Sequence, residues 1–348
     1  MNTLTIQSPD DMHLHVRDGS ALSSVVPHTA RQFARAIIMP NLVPPVATVA
    51  QALEYRQRIL AAVPPAVKFH PLMALYLTPT TSLNDVIEAA DHPDIIGFKL
   101  YPAGATTHSE AGIGSLKAIY PILDAMQERD VPLLCHGEVT SPDTDVFDRE
   151  RLFLENELLP IREQFPQLRI VLEHITTSEA VEFIKQNNRK TVATITAHHL
   201  LYNRNAIFTS GIRPHYYCLP LLKRKQHQNA LIAAAISGDP RFFLGTDSAP
   251  HQRHRKESAC GCAGCYTAHA AIELYAEVFE QNNALDKLEG FASKYGAAFY
   301  QLSENTGSIT LTRKPWDCPK EYELDGDVLI PIGAGEPINW KCCTNDSL

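Results

Sequence analysis

Two histidines in the segment Asp11–Gly19 (DMHLHVRDG) have the spacing of a metal-binding pair. Apolar and polar residues alternate in this segment, which predicts a strand whose side chains point alternately to two faces. His13 and His15 therefore project to the same side, and Arg17 follows them on that side. Imidazole nitrogens are good ligands for zinc and similar divalent cations. Taken alone, such a pair more often has one histidine that packs and another that caps a turn.

Four more ionisable residues lie at or near the ends of apolar, strand-like segments elsewhere in the chain. They are Lys99, His136, His174 and Asp247. If these segments are strands of one parallel barrel, their carboxyl ends meet at a single mouth, where barrel enzymes carry their chemistry. Burying so many ionisable groups without a cation would be costly. The pattern therefore predicts a metal site at that mouth.

Lys99 does not fit a simple ligand set, because an ammonium group is repelled by a divalent cation. One interpretation is a salt bridge from Lys99 to an acid such as Asp247. The other is a neutral amine that has added CO2, which gives a carbamate anion able to bridge two metals. Crowding by positive charge lowers a lysine pKa and makes that addition feasible. The spacing of the residues does not decide between the two.

Strand-like and helix-like segments alternate along about 240 residues of the chain. The strand-like segments are Met12–Val16, Ala34–Pro40, His70–Leu77, Ile95–Tyr101, Pro132–His136, Arg169–His174, Thr191–His198 and Arg241–Asp247. Eight such segments predict an α/β fold of the (β/α)8 TIM-barrel class, with the metal site at its C-terminal mouth. A doubly wound open sheet alternates in the same way, but no Gly-x-Gly-x-x-Gly follows the first strand.

The helix-like segments fill the intervals between the strands and continue beyond the last one. They are 49–63, 82–90, 116–129, 149–164, 178–186, 227–237, 268–279 and 284–300. The chain has neither an internal repeat nor a low-complexity linker, so we expect one domain over residues 1–348. Residues 306–348 are rich in Pro, Gly and short strand-like pieces, and we expect them to form a C-terminal extension that wraps the barrel.

The composition narrows the possible partners and location. The chain has 348 residues, 45% hydrophobic and 20% charged, which is typical of a globular protein with a large core. A net charge of −8 argues against nucleic acid as the main partner. No segment has the length of apolar sequence that spans a membrane, and residues 1–7 lack the features of a secretory signal. We therefore expect a cytoplasmic protein whose eight cysteines are reduced.

Several segments resemble the amidohydrolase superfamily and, within it, the family of shorter bacterial dihydroorotases. They are His13–Gly19 (HLHVRDG), Gly97–Gly104 (GFKLYPAG), Leu134–Glu138 (LCHGE), Leu172–Thr176 (LEHIT), Gly245–His251 (GTDSAPH) and Cys260–Cys265 (CGCAGC). The resemblance runs essentially from end to end. It implies a barrel with two zinc ions at its mouth. It also implies a small-molecule reaction, the reversible conversion of L-dihydroorotate and water to N-carbamoyl-L-aspartate in pyrimidine biosynthesis.

The resemblance also assigns the metal ligands. It implies that the first zinc is held by His13 and His15 and the second by His136 and His174. Lys99, as N6-carboxylysine, and a hydroxide would bridge the two ions. Asp247 would bind the first zinc and act as general base and acid. The ligand types alone leave the native metal open, because zinc, cobalt and manganese all suit them.

The resemblance further assigns the substrate-binding residues. They are Arg17, Asn41, His251, Ala263 and the backbone of Leu219. An arginine can bind the substrate carboxylate through two hydrogen bonds, whereas a salt bridge to Asp18 is its alternative role. Thr106 and Thr107 belong to the small, polar loop 103–107, which would close over substrate as a lid; the alternative is an ordinary connection. The role of His108 stays open, and the resemblance suggests a homodimer.

Two other functions compete with this one. A hydantoinase-like or allantoinase-like cyclic amidase would use a similar centre, but its substrate need not carry the free carboxylate that Arg17 and Asn41 suggest. A catalytically inactive scaffold typically loses metal ligands, whereas this chain keeps all six candidates.

Cys260–Cys265 and three further histidines carry weaker signals. The cysteine segment could hold a structural zinc or an iron–sulfur cluster. Because its three cysteines lack a clear fourth partner nearby, we instead predict a Gly-rich turn whose backbone lines the substrate pocket near Ala263. For His198, His199 and His254 we predict surface or packing roles.

Overall fold

The computed structural model describes residues 2–187, 190–259 and 261–343. Its strands, in chain order, are β1 (Thr3–Gln7), β2 (Asp10–Leu14), β3 (Arg35–Ile38), β4 (His70–Tyr76), β5 (Ile95–Leu100), β6 (Leu133–His136), β7 (Ile170–Glu173), β8 (Thr191–Ile195), β9 (Phe242–Leu244), β10 (Ser308–Asp317), β11 (Tyr322–Leu324), β12 (Asp327–Leu329) and β13 (Pro337–Cys343). Strands β2 to β9 form one parallel sheet in chain order.

The parallel sheet closes on itself where the segments after its first and last strands meet. The amide of Asp247 donates to the carbonyl of His13 at 2.8 Å, and the amide of His15 donates to the carbonyl of Ser248 at 3.1 Å. Sequential parallel order and closure together make a (β/α)8 barrel. The predicted fold class is therefore confirmed.

Helices connect the strands and cover the outside of the barrel. They are α1 (Ala21–Ala30), α2 (Val49–Ala61), α3 (Leu83–Asp91), α4 (Tyr120–Glu128), α5 (Arg149–Phe153), α6 (Leu159–Gln164), α7 (Ser178–Gln186), α8 (Ala197–Leu201), α9 (Lys225–Ala235), α10 (Arg253–Lys256), α11 (Ala271–Gln281) and α12 (Tyr295–Phe299). Polar caps set several of their starts. Thr48 and Gln51 form a capping box at α2, and the Thr177 side chain accepts from the amide of Ala180 at α7.

Two irregularities in strand pairing decide which side chains point into the barrel. In β2, Asp11 pairs with Ala36 and Leu14 pairs with Ile38. Between these two pairs the chain advances by three residues in β2 but by only two in β3, which is a β-bulge. This bulge places Met12 in the cluster inside the barrel, whereas Leu14 packs in the outer layer under the helices. The alternation in the sequence wrongly predicted Met12 on the side of Leu14. His13 and the following His15 point inward.

A second bulge occurs in β5, next to β4. Ile95 pairs with Met73 and Gly97 with Ala74, which leaves Ile96 as the extra residue. Ile96 lies in the inner cluster, while Phe98 and Leu100 pack in the outer layer. Lys99, between these two, therefore points into the barrel. The bulge thus sets the orientation of the one lysine among the predicted ligands.

Some predicted element boundaries were wrong. Strand β8 ends at Ile195, so His198 lies in α8 and not in a strand. The predicted helix 149–164 contains a π-helical turn at Leu154–Leu158, and 284–300 is regular α-helix only over its last turn, α12. Periodicity alone does not distinguish these helical variants, because all of them bury one face.

The C-terminal extension pairs with the N-terminal strand. Strand β10 lies between β1 and β13 in an antiparallel sheet, and β11 and β12 form a hairpin. Residues 344–348 of the predicted tail lie outside the described residues. The assignment of residues 1–348 to one domain stays a prediction. None of the helices in the described ranges combines the length and apolar character that a membrane crossing requires.

Candidate metal centre

A small cavity opens at the carboxyl ends of the barrel strands. It is lined by five of the six predicted metal ligands: His13, His15, His136, His174 and Asp247. Its remaining lining residues include Arg17, Asn41, Tyr101, Thr106, Thr107, Leu219 and Ala263. The sixth predicted ligand, Lys99, is fully buried.

Three of the ligand candidates converge on one point at the barrel closure. Nε2 of His13 lies 3.4 Å and Nε2 of His15 lies 3.1 Å from Oδ1 of Asp247. Ligand atoms of the three residues all fall within 4.8 Å of one another, and all three side chains are buried. Two imidazoles and a carboxylate form a suitable ligand set for a transition-metal ion.

The other two histidines continue the group across the mouth. The ring centre of His174 lies 5.0 Å from that of His13 and 4.8 Å from that of His136. The four rings therefore form an unbroken row from β2 to β6 and β7. A second cation beside the first would fit between His136 and His174 on this arrangement.

Left-handed backbone at three positions turns side chains toward the mouth. Arg17, His174 and Asp247 have φ values of 59°, 42° and 45°. Val171 faces the barrel interior, so regular alternation points Glu173 inward and would point His174 outward. The left-handed turn at His174 brings its ring back to the cavity. Such strained backbone costs free energy and is concentrated at functional sites.

Buried carboxylates select which ring nitrogen of two histidines carries the proton. Oε2 of Glu138 lies 2.9 Å from Nε2 of His136, which leaves Nδ1 of His136 to hold a cation. Oε2 of Glu173 lies 3.0 Å from Nδ1 of His13, which leaves Nε2. The contact between Glu173 and Nδ1 of His13 has the distance of an ion pair but not the geometry of a hydrogen bond. Carboxylates behind metal-binding histidines commonly play this orienting role.

Lys99 is buried without a counter-charge in bonding contact. Among the described residues, no hydrogen-bond partner reaches its Nζ, which lies 5.2 Å from the ring centre of Tyr101. Burial lowers the pKa of Lys99, against the opposing effect of Glu173. The salt bridge to Asp247 that the sequence allowed is absent from the described ion pairs. A buried, unpaired ammonium is costly, so the neutral amine is the favoured form.

Asp247 is the ionised group of the centre. Burial alone would raise its pKa, but the hydrogen bond from His15 and the neighbouring imidazoles hold the pKa well below its usual range. Burial lowers the pKa of His15 to about 4, so its ring is neutral near pH 7 and offers a lone pair. An ionised carboxylate beside the neutral imidazole of His15 is ready to bind a cation or to accept a proton.

One wall of the cavity carries the predicted substrate-binding residues. Nη2 of Arg17 lies 2.8 Å from Nε2 of His251, and Nε of Arg17 donates to the carbonyl of Pro250 at 3.0 Å. Burial, and then the charge of Arg17, hold the pKa of His251 well below its usual range. Nε2 of His251 also lies 3.0 Å from the carbonyl of Ala263, so its tautomer decides which contact it makes. His251 contacts Arg17 and Ala263, which line the cavity, but His251 is not itself a lining residue.

The predicted lid lies across the cavity. Nδ2 of Asn41 donates to the carbonyl of Thr107 at 3.1 Å, and Oγ1 of Thr107 donates to the carbonyl of Ala263 at 3.4 Å. The hydroxyl of Ser109 stabilises the loop, because it donates to the carbonyl of Thr106 at 2.6 Å. The loop therefore joins Asn41 after β3 to the Gly-rich segment after β9.

Sequence reasoning missed the polar residues that support the centre. Oδ1 of Asp11 accepts from the amides of His13 and Thr246, at 3.1 and 2.9 Å. Oγ1 of Thr194 donates to Glu173 at 2.5 Å and accepts from the amide of His174 at 2.7 Å. An acid within an otherwise apolar strand was the available signal for Asp11 and Glu173, but only the fold identifies what each one contacts.

The weaker sequence signals have mixed outcomes. His198 and His199 are buried, which excludes a surface role, whereas His254 is exposed and lies 2.6 Å from Asp327. Cys260 lies outside the described residues. Ala263 and Gly264 of this segment line the cavity.

Comparisons with known proteins agree on one family. The model of the amidohydrolase family matches residues 10–316. A dihydroorotase of Acidovorax sp. (strain JS42) is 61% identical over 340 residues, which is 98% of each chain. The crystal structure of dihydroorotase from Saccharomyces cerevisiae in complex with 5-fluoroorotic acid is 35% identical. It superposes with a TM-score of 0.91 and covers 100% of both chains.

A more distant structure shares the fold alone. The L-hydantoinase of Arthrobacter aurescens is 14% identical and superposes with a TM-score of 0.78, covering 97% of this chain and 82% of its own.

Proposed function

The chain belongs to the amidohydrolase family and is a cyclic amidohydrolase of pyrimidine biosynthesis, and we propose that it interconverts L-dihydroorotate and N-carbamoyl-L-aspartate at a centre of two zinc ions. The main support for the proposal is that one cavity is lined by two kinds of residue. The candidate metal ligands lie on the same cavity as Arg17, whose guanidinium could bind a carboxylate.

The donor set fits a pair of divalent cations. His13, His15 and Asp247 would hold one ion, and His136 and His174 the other. The buried carboxylates of Glu173 and Glu138 support this assignment, since each lies against one ring nitrogen and leaves the other for a cation. Bound there, two cations would polarise the ring carbonyl and make a water nucleophilic near neutral pH.

Lys99 would bridge the two ions as N6-carboxylysine. Its buried Nζ lacks a partner among the described residues, and burial favours the neutral amine that reacts with CO2. The nitrogen lone pair forms a bond to the carbon of CO2, and the amine loses a proton to give a carbamate anion. This anion would add a second negative charge to a ligand set that otherwise has one aspartate and four histidines.

Asp247 would move the proton during the reaction. Its carboxylate is ionised and lies at the barrel closure beside His13 and His15. In hydrolysis it takes a proton from the attacking water and returns it to the ring nitrogen that leaves. In cyclisation, the same carboxylate takes a proton from the attacking nitrogen.

The substrate carboxylate would bind at the wall formed by Arg17, Asn41 and His251. The Arg17 guanidinium is fixed by the carbonyl of Pro250 and by His251, so it is held in place before substrate arrives. A relative at 35% identity has a structure in complex with 5-fluoroorotic acid, which is a pyrimidine that carries a carboxylate. Leu219 and Ala263 also line the cavity and would contact the ring through their backbone.

The lid would exclude water from this small cavity. Thr106 and Thr107 line it, and the contacts of Thr107 with Asn41 and Ala263 connect the loop to both sides of the mouth. We propose that the loop opens to admit substrate and closes before the chemical step.

A comparison of substrates tests the proposed specificity. Zinc-loaded protein should turn over L-dihydroorotate far faster than a plain hydantoin, which lacks the free carboxylate for Arg17. Preference for the hydantoin would instead establish the hydantoinase-like alternative. No turnover of either compound by protein that carries its metals would favour an inactive scaffold.

The proposal includes a cytoplasmic homodimer. The described cysteines are all free thiols, which agrees with a reducing compartment. Light scattering on the purified protein tests the dimer, which would have twice the 38.6 kDa mass of the chain.

A further inference from the structure

A second group of possible metal ligands includes two cysteines that lie close in the sequence to Leu219 and Ala263, two of the predicted substrate-binding residues. The ring of His198 and the thiols of Cys218 and Cys265 are buried, and their ligand atoms all lie within 4.8 Å of one another. The three residues come from α8, from the segment before Pro220 and from the segment after β9. None of them belongs to the centre at the mouth. The fold thus places Cys265 beside two possible co-ligands, His198 and Cys218, that are distant from it in the sequence.

His198 is the clearest sign that this group binds something. Within residues 2–187, 190–259 and 261–343, neither nitrogen of its buried ring has a hydrogen-bond partner. The adjacent His199 is fully partnered, with Nδ1 at 2.7 Å from Oγ1 of Thr196 and Nε2 at 3.0 Å from the carbonyl of Pro220. Burying two unpartnered ring nitrogens is costly. Burial also lowers the pKa of His198 to about 4, so the ring is neutral and has a lone pair to give.

The thiols supply the other donors. The Sγ of Cys218 contacts the carbonyl of Pro220 at 3.4 Å, and that of Cys265 contacts the carbonyl of His215 at 3.4 Å. Both are weak contacts that a thiol can give up on losing its proton. Ligand atoms around a tetrahedral zinc lie roughly 3.8 Å apart when Zn–S bonds are ~2.3 Å. A small inward movement would therefore bring these three atoms around a cation.

A buried ammonium group supports ionised thiols at this place. Lys256 is almost fully buried, and its Nζ donates to the carbonyls of Tyr217, Cys262 and Gly264 at 3.0, 2.8 and 2.6 Å. These carbonyls flank both cysteines in the sequence. The hydrogen bond with Cys265 and burial raise the pKa of Cys218, and the positive charge of Lys256 opposes that rise. The ammonium group therefore lowers the cost of ionising a thiol beside it when a cation binds.

We propose that His198, Cys218 and Cys265 form an additional site for a zinc-like divalent cation, separate from the centre at the mouth. Two thiolates and one imidazole hold the ion, and water takes the fourth position. On binding, each thiol loses a proton to solvent, and its sulfur forms a bond to the cation without any change of oxidation state.

On the proposed function, this site would hold together two loops that contact substrate. Cys218 directly precedes Leu219, and Cys265 lies two residues after Ala263; both Leu219 and Ala263 line the active-site cavity. A cation between the two cysteines would fix the distance between these loops. We therefore expect its loss to raise KM for substrate several-fold while kcat changes less than twofold.

Cobalt spectroscopy on the full-length protein tests the site directly. Co2+ bound to thiolate gives an intense charge-transfer absorption in the near ultraviolet, whereas histidine and carboxylate ligands at the mouth do not. The protein loaded with Co2+ should show this band. Cys218→Ser and Cys265→Ser should each lose it and bind one Co2+ fewer per chain, with an unchanged circular dichroism spectrum.

Cys342→Ser is the matched control, because Cys342 is also a buried free thiol but lies in β13. It should keep the band and the full cobalt content. The absence of the band from the unaltered protein would overturn the proposal. So would a band that survives in both variants and disappears only in Cys262→Ser. Because the readout is spectroscopic, it is independent of the proposed reaction.

Discussion

The guanidinium of Arg17 lies 2.8 Å from Nε2 of His251, although 234 residues separate them in the chain. The contact joins the segment after the first barrel strand to the segment after the last. Burial and the charge of Arg17 keep the pKa of His251 low, so a neutral ring can accept from the guanidinium. The pair leaves other N–H groups of Arg17 for a substrate carboxylate at the edge of the metal centre.

Arg17→Lys should weaken substrate binding without removing the metals. Lysine keeps the charge but cannot form the planar, two-bond contact with a carboxylate, and hydrogen bonds to charged groups contribute about 1.5–3 kcal/mol. We expect KM for dihydroorotate to rise roughly 10- to 100-fold. Arg58→Lys is the control, since Arg58 forms an exposed pair with Asp18. Equal KM values for the two variants would refute the role of Arg17.

Asp247→Asn should abolish turnover while the fold is kept. The amide cannot accept the proton from water, and general base catalysis contributes about 100- to 10,000-fold. We therefore expect kcat to fall roughly 1,000-fold or more, with an unchanged circular dichroism spectrum. Asp239→Asn serves as a control, because Asp239 pairs with Arg241 away from the mouth. A variant of Asp247 with ordinary kcat would show that another group is the base.

Glu173→Gln should weaken metal binding more than it weakens folding. The carboxylate lies 3.0 Å from Nδ1 of His13, and loss of such a partner typically lowers metal affinity about 10- to 100-fold. We expect a chelator competition assay to detect this change. The exposed Glu163 provides the matched control Glu163→Gln. Equal zinc affinity in all three proteins would mean that Glu173 does not orient His13.

The raised pKa of Asp11 predicts how the stability of the fold depends on pH. Burial raises the pKa of this carboxyl from 3.8 to about 6, against the hydrogen bonds from Thr246 and His13. Because the folded-state pKa lies above the unfolded one, the stabilising contribution is complete below about pH 4 and is lost as pH rises through 6. The shift corresponds to about 3 kcal/mol.

Asp11→Asn isolates this effect. Asparagine keeps an acceptor for the two amides but does not titrate. Chemical denaturation of the metal-free proteins should give free energies of unfolding that diverge between pH 4 and 7, with the unaltered protein losing stability relative to the variant. Parallel curves over that range would contradict the raised pKa.

Strand order and the positions of the site residues could be predicted from the sequence because apolar runs are local and barrel strands are sequential. His13, His136 and Asp247 were expected at strand ends for this reason, and they line one cavity. The inward direction of Lys99 was not predictable, since it depends on a bulge between β4 and β5. The same holds for Met12, which a second bulge moves to the interior.

Contacts between distant segments were also beyond sequence reasoning. Glu173 was visible only as an acid in an apolar strand, and its proximity to His13 follows from barrel closure. Cys265 looked like part of a local Gly-rich turn, whereas the fold places it beside Cys218 and His198. Such partners are set by tertiary packing, which no local pattern encodes.

On the proposed function, six side chains at the barrel mouth hold two metals that a carboxylated lysine bridges. Anomalous diffraction from crystals of the zinc-loaded protein would locate both metals and the modified lysine. We predict one zinc peak beside His13, His15 and Asp247, a second beside His136 and His174, and carbamate density that joins Nζ of Lys99 to both. A single zinc peak at the mouth, or an unmodified amine on Lys99 with both peaks present, would rule out the bridged two-metal centre.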